Sequence, residues 1–261
     1  MRAPVLVLAC LLAAALAAPA LAPYSPDQID LTRLRQAPSA AHWFGTDDLG
    51  RDVLARVLYG ARVSLAVGLL SAAVAGVSGV ALGGIAGYAG GAADAVLMRL
   101  TDAMLAVPRL PLLMIAAALL QPSVTLLVLL IGAAGWMETA RVIRAEFRTL
   151  AERGFVESAR AAGAGHARVI AAHLLPNAAH AATVSITLAV ARGILIESAL
   201  SFFGVGVRPP QASWGNMLYQ SQSTLATEPW LAVAPGVLIL LTTISVNVAG
   251  DRLIAAKRVS R

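Results

Sequence analysis

Gly76-Val77-Ser78-Gly79 sets a serine between glycines in an apolar stretch, and His173 and His180 are available elsewhere as bases. Together they form the one nucleophile-and-base arrangement in the chain, the chemistry of an intramembrane serine protease. Glycine and serine also recur wherever helices pack closely in lipid, and that reading takes precedence here. Transport driven by this chain alone as an ATPase is excluded, because a P-loop requires G-x-x-x-x-G-K-[ST] and the single lysine is Lys257 near the C-terminus. One cysteine, Cys10, leaves no internal disulfide and no cysteine-rich metal site. Two charged residues, Arg192 and Glu197, stand inside an apolar run, where each must face a partner or a water-filled cavity. Five positions apart, they are poorly placed to pair on one helical face. Glu197, with Ser198 and Ser201, either lines a polar path or is hydrogen-bonded within a helix bundle; the residues leave both open.

The elements that must position these groups are read from composition. Hydrophobic residues make up 58% of the 261 and charged residues 13%, and the mean hydropathy is +0.75, values of a polytopic membrane protein. About 20 apolar residues cross a bilayer as a helix. Runs near 3–22, 63–88, 103–121, 123–143, 178–204 and 231–250 qualify, so an all-α protein with six spans is predicted. Gly and Ala dominate where strands would need alternating faces, which argues against a β-barrel.

Lys and Arg near span ends favour the cytoplasmic side. With both termini inside, 13 of the 20 basic residues fall in inner segments, six in outer ones and one, Arg192, within a span. Six acidic residues balance the outer six, so the net charge of +6 resides inside. The pI of 10.4 therefore reflects topology and contact with anionic lipid rather than nucleic-acid binding. Met1 to Ala22 also reads as a cleavable signal peptide; a retained helix is the preferred reading.

Residues 1–62 are taken as a first helix and an external segment with an interfacial helix over 53–59, residues 63–251 as a five-helix core, and 252–261 as a basic tail. Gly79, Gly83 and Gly87 recur every four residues, a stripe that lets backbones approach closely. Asp94, Arg99 and Asp102 have spacings for local ion pairs, and Pro108 and Pro111 should bend the entry to the third span. Residues 150–177 form a polar inner loop, with Gly163 and Gly165 supplying a turn after a short helix and Pro176 in the first turn of the next.

Within that loop Glu157, Ser158, Ala159 and Gly163, followed by His173 and Leu175-Pro176, resemble the E-A-A-x-x-x-G…I-x-L-P loop of ABC-importer permeases. His173 replaces the general Ile, as the peptide-importer branch writes it. Gly45-Thr46-Asp47…Gly50-Arg51-Asp52, the segment Ser201 to Gly215 with Pro209, Pro210 and Trp214, and Asn247…Gly250-Asp251 are similar in order and spacing to further motifs of those permeases. Phe203 stands where Leu is usual. The resemblance covers Trp43 to Leu253 and is to the second of the paired permeases of dipeptide, oligopeptide and nickel importers.

It implies the type I importer permease fold, a second homologous permease as heterodimer partner and two ABC ATPase subunits holding ATP and Mg²⁺. It also implies an extracytoplasmic substrate-binding protein, no cofactor on this chain, and a coupling loop that transmits ATPase closure to the spans. Dipeptides or oligopeptides are the favoured cargo, nickel chelates the alternative. The segment from Ser201 to Trp230 is expected outside, anchored by Trp214 and Trp230.

Overall fold

The computed structural model describes residues 2–120 and 123–259, so Met1 and the last two residues of the basic tail lie outside the described residues. Among them the chain is all-α, with a single isolated bridge, Thr46 to Asp52, in place of any strand. The helices are α1 (Arg2–Leu16), α2 (Ala18–Leu21), α3 (Val53–Ala89), α4 (Gly91–Ala106), α5 (Arg109–Leu120) and α6 (Val124–Ala133). They continue with α7 (Trp136–Ala151), α8 (Gly154–Ala161), α9 (His166–Arg168), α10 (Leu175–Phe202), α11 (Trp214–Ser221) and α12 (Trp230–Val259).

Three helical runs are long and apolar enough to cross a membrane: Val53–Ala89, His166–Phe202 and Trp230–Ala255. Two bent pairs bring the number to five. One is α4 with α5, turned by 83°, and the other is α6 with α7, turned by 41°. The first predicted span differs from expectation. It is the 15-residue α1, ended at Ala17 and followed by the four-residue α2, where Pro19 contributes no N–H to the ladder. Pro108 acts likewise between α4 and α5, because it disfavours helical geometry at Val107.

The segment 53–59, expected as a separate interfacial helix, is instead the start of α3. Asp52 caps it by accepting a 2.7 Å hydrogen bond from the Ala55 N–H. The residues leading into it form a charged knot. Asp47 accepts from the N–H groups of Leu49 and Arg51, each at 2.9 Å, and from Arg51 Nε at 2.7 Å. Gly50 has φ +73°, and a Cβ there would lie 1.9 Å from the Asp30 carbonyl oxygen. Arg56, 1% exposed, reaches Asp47 at 3.5 Å and Asp27 at 3.6 Å. Pairing and backbone bonds thus hold this polar segment on the head of α3.

α3 is the centre of the bundle, packed on α7, α10 and α6. A Cβ on Gly79 would meet Trp136 O at 2.7 Å, on Gly83 Ala140 O at 2.3 Å, and on Gly87 Arg144 O at 2.6 Å. The stripe therefore lets α3 and α7 lie backbone to backbone within this chain. α4 lies along the same helix, and this changes the expected ion pairs. Asp94 binds Arg144 and stands 3.8 Å from Arg148, while Asp102 binds Arg141. The acids pair between helices because Arg141, Arg144 and Arg148 present one face to α4, whereas Arg99 makes no ion pair among the described residues.

Candidate functional site

The expected polar loop folds as a short helix, a turn and a re-entry into a long helix. In α8 only Val156 is buried. It packs with Ile143, Phe147, Val169, Leu174 and Ala178, so the helix is moored to α7 and the foot of α10 by one apolar side chain. Glu157 and Ser158 are exposed and Ala159 half-buried. Gly163 closes the turn with φ +85°, and a Cβ there would meet nothing within 4 Å. Its N–H donates to Arg160 O at 2.9 Å, and that of Ala164 to Ala159 O at 3.0 Å.

Beyond the turn, α9 passes through a π-helical turn, Val169–Leu174, directly into α10, so the helix runs unbroken from His166 to Phe202. π-helical turns inside α-helices mark places where the ladder has been adjusted, frequently at functional sites. Pro176 follows that turn and so lies inside the continuous run rather than at a free helix start as expected, its missing N–H falling beside the stretch where the ladder is adjusted. The His173 carbonyl accepts from Asn177 Nδ2 at 2.6 Å, its ring lies 6.3 Å from that of Phe155, and Leu175 is exposed. Tyr88 at the end of α3 shares a 2.7 Å hydrogen bond with His166 Nδ1 and lies under Arg160. This ties the turn to the central helix. The segment presents a largely exposed helix with one buried apolar side chain, Val156, at the base of a long rod.

The opposite end of the rod holds Glu197, fully buried. Its Oε2 accepts from Ser64 Oγ on α3 at 2.9 Å and its Oε1 from Ser201 Oγ at 2.8 Å; Ser198 Oγ is farther, at 3.4 Å. Ser64 Oγ also accepts from the Trp214 N–H at 3.1 Å, and Ser201 Oγ from the Val207 N–H at 3.0 Å. The carboxylate thus sits within the bundle, where it joins α3, α10 and the segment before α11. Ser64 belongs to the stretch after Asp52 that resembles the importer permeases, with Arg56, Gly60, Arg62 and Leu65, but the resemblance gave it no role, and its bond to Glu197 is what the sequence did not show.

Pro209 and Pro210 precede the helix, joined by a cis peptide. Ser213 caps α11 in a reciprocal box with Asn216. Trp214 is buried in protein and donates from Nε1 to Val57 O at 3.2 Å, so protein rather than headgroups holds it. Gly215 lies against α10, where a Cβ would be 2.6 Å from Ser198 O. Each residue of the Ser213-Trp214-Gly215 run therefore has a distinct mechanical job: cap, plug and close approach.

Arg192 does not meet Glu197. Its Nη2 lies 3.1 Å from Glu138 Oε2 on α7, and Glu138 Oε1 accepts from Arg109 Nη2, at the start of α5, at 3.0 Å. Ser78 Oγ donates to Val74 O at 2.7 Å within its own helix, and no histidine hydrogen-bonds it among the described residues.

Residues 79–259 match the family described as binding-protein-dependent transport system inner membrane component. Over 245 residues the chain is 40% identical to a protein of Brucella suis biovar 1 (strain 1330) named as a peptide permease, covering 93% of this chain and 81% of the relative. It is 37% identical over 233 residues to an Escherichia coli (strain K12) protein named as a D,D-dipeptide transport system permease, covering 89% and 78%. It is also 37% identical over 257 residues to the oligopeptide transport system permease protein of Mycobacterium tuberculosis (strain ATCC 25618 / H37Rv), covering 97% and 88%.

Proposed function

The chain belongs to the family of binding-protein-dependent transport system inner membrane components, and from that premise we propose that it is one permease subunit of an ATP-driven importer of dipeptides or oligopeptides. Its family is one of transport components, so the serine-protease reading of Ser78 is set aside. The names of the peptide-permease relatives support the cargo.

In this reading the bent pairs each make one crossing and α1 with α2 another, giving six spans in the cytoplasmic membrane with both termini cytoplasmic. The loop 150–177 docks on an ATPase subunit through the exposed face of α8. A second, homologous permease completes the pore, two ATPases bind ATP and Mg²⁺, and an extracytoplasmic binding protein delivers the peptide to the side bearing α11. ATP-driven approach of the ATPases pushes on α8, and the spans rock between outward-open and inward-open arrangements. The carrying observation is the largely exposed α8, with Val156 its one buried side chain, at the foot of a helix that runs unbroken to the other end of the bundle.

The test is reconstitution in proteoliposomes with the partner permease, both ATPases and the binding protein. ATP-dependent accumulation of a labelled di- or tripeptide is expected. Accumulation of a nickel chelate with no peptide uptake would reassign the cargo, and no uptake of either would remove the importer reading.

A further inference from the structure

We propose that Arg192, supported by Arg109, is a recognition point for the carboxylate of the transported molecule, at mid-depth in the bundle. This deepens the peptide-import reading and rests on it. Arg192 lies 17 residues into α10 and ten before its end, about 25 Å and 15 Å along the axis. A guanidinium at that depth faces a cavity or a partner rather than lipid. Both it and Glu138 are more than one-third open in this chain, at 37% and 36%.

Three elements converge there. Arg109 stands directly after the Pro108 break and Glu138 in the first turn of α7, directly after the bend at Gly135. Arg109 and Glu138 thus each stand in the first turn of a half-helix, the end at which the helix dipole is positive. Glu138, Arg192, His180 and Ser185, with apolar Val142 and Leu188, line an open cavity of about 390 Å³. The buried Nε2 of His180 has no hydrogen-bond partner.

Charge and donor counts select the ligand. Two guanidinium groups share one carboxylate, leaving one surplus positive charge. Arg109 gives Glu138 a hydrogen bond, but the Arg192 contact to Oε2 is an ion pair without hydrogen-bond geometry. Arg192 makes no hydrogen bond among the described residues, although a guanidinium carries five N–H donors shaped to clasp a carboxylate with two parallel bonds. A terminal peptide carboxylate supplies one negative charge in that planar geometry. Glu138 then acts as an internal competitor: the substrate takes over Arg192 on entry, and Glu138 reclaims it on exit, so the site holds cargo only in passing.

The experiment uses the complete reconstituted importer with one tripeptide in two forms, free carboxylate and C-terminal amide. Uptake of each is scaled to the amount of loaded binding protein. Arg192→Gln is expected to lower translocation of the free-carboxylate form about tenfold and that of the amide less than twofold. Arg109→Gln should shift the ratio in the same direction and serves if the first variant fails to assemble. An equal loss for both forms, or no loss for either, overturns the site. Absence of uptake by the unaltered complex overturns the peptide reading and the site with it.

Discussion

Ser64 donates a 2.9 Å hydrogen bond to Glu197 and accepts one of 3.1 Å from the Trp214 N–H, so one hydroxyl fastens α3, α10 and α11 together. All three residues are fully buried. Such a node is costly to break from one side, because the remaining donors lose their partner.

Glu197→Leu should therefore destabilise the purified complex by about 2–4 kcal/mol, leaving the hydroxyls of Ser64 and Ser201 without their acceptor. Glu197→Gln keeps an acceptor oxygen and the shape, and should cost less than half as much. Thermal unfolding of the two variants in detergent decides this. A Leu variant as stable as the parent would mean that the carboxylate is not a fastening.

Gly83→Leu should damage assembly far more than Ala81→Leu. The first side chain would enter the backbone of α7 at Ala140, and the second faces outward from an exposed position. Overpacking of a close contact costs about 1–3 kcal/mol or more. Co-purification of the partner permease and the unfolding midpoint measure it, and equal behaviour of the two variants would show that the stripe is not a tight contact.

Gly163→Trp and Glu157→Lys should leave the protein in the membrane but uncouple ATP hydrolysis from uptake, because both positions are exposed and touch no core. A side chain at the φ +85° of Gly163 adds strain of about 1–2 kcal/mol to the turn. The ratio of peptide moved to ATP hydrolysed should fall at least fivefold. Normal coupling in Gly163→Trp removes the docking role of this loop.

Cysteines introduced at Arg208 and Leu225, in a Cys10→Ser background, should react with an impermeant thiol reagent in intact cells, and one at Glu157 only after lysis. Both outer positions are exposed. The reverse pattern would invert the orientation assigned from the basic residues.

Spacing and composition made the three long helices, the glycine stripe and the turn at Gly163 legible, since each depends on local rules of hydrophobicity and backbone freedom. The partners of charged groups were not. Asp94 and Asp102 sit at spacings suited to Arg99, yet they pair with Arg144 and Arg141, because the fold of α4 along α7 offers a better surface than the helix itself. Arg192 finds Glu138 from 54 positions away, and Glu197 finds Ser64 from 133. Contacts of that separation follow from helix packing, which no local pattern encodes. The break in the first span was not legible for a simpler reason: hydropathy averages over Pro19, and the backbone does not.

The continuous helix from His166 to Phe202 has 37 residues, a shaft about 55 Å long with the π-helical turn and Pro176 near its α8 end. If it swings by 5° about its midpoint, each tip travels about 2–3 Å, roughly the length of a hydrogen bond. One tip is braced by Val156 of α8; the other carries Ser198 and Ser201, which grip Gly215 and the Val207 N–H. If α8 is pushed as in the proposed coupling, the Val207–Gly215 stretch would be displaced by about the length of one polar contact. In that proposed coupling α10 would gear the two ends of the bundle to each other, with Glu197 as the pin near its far end.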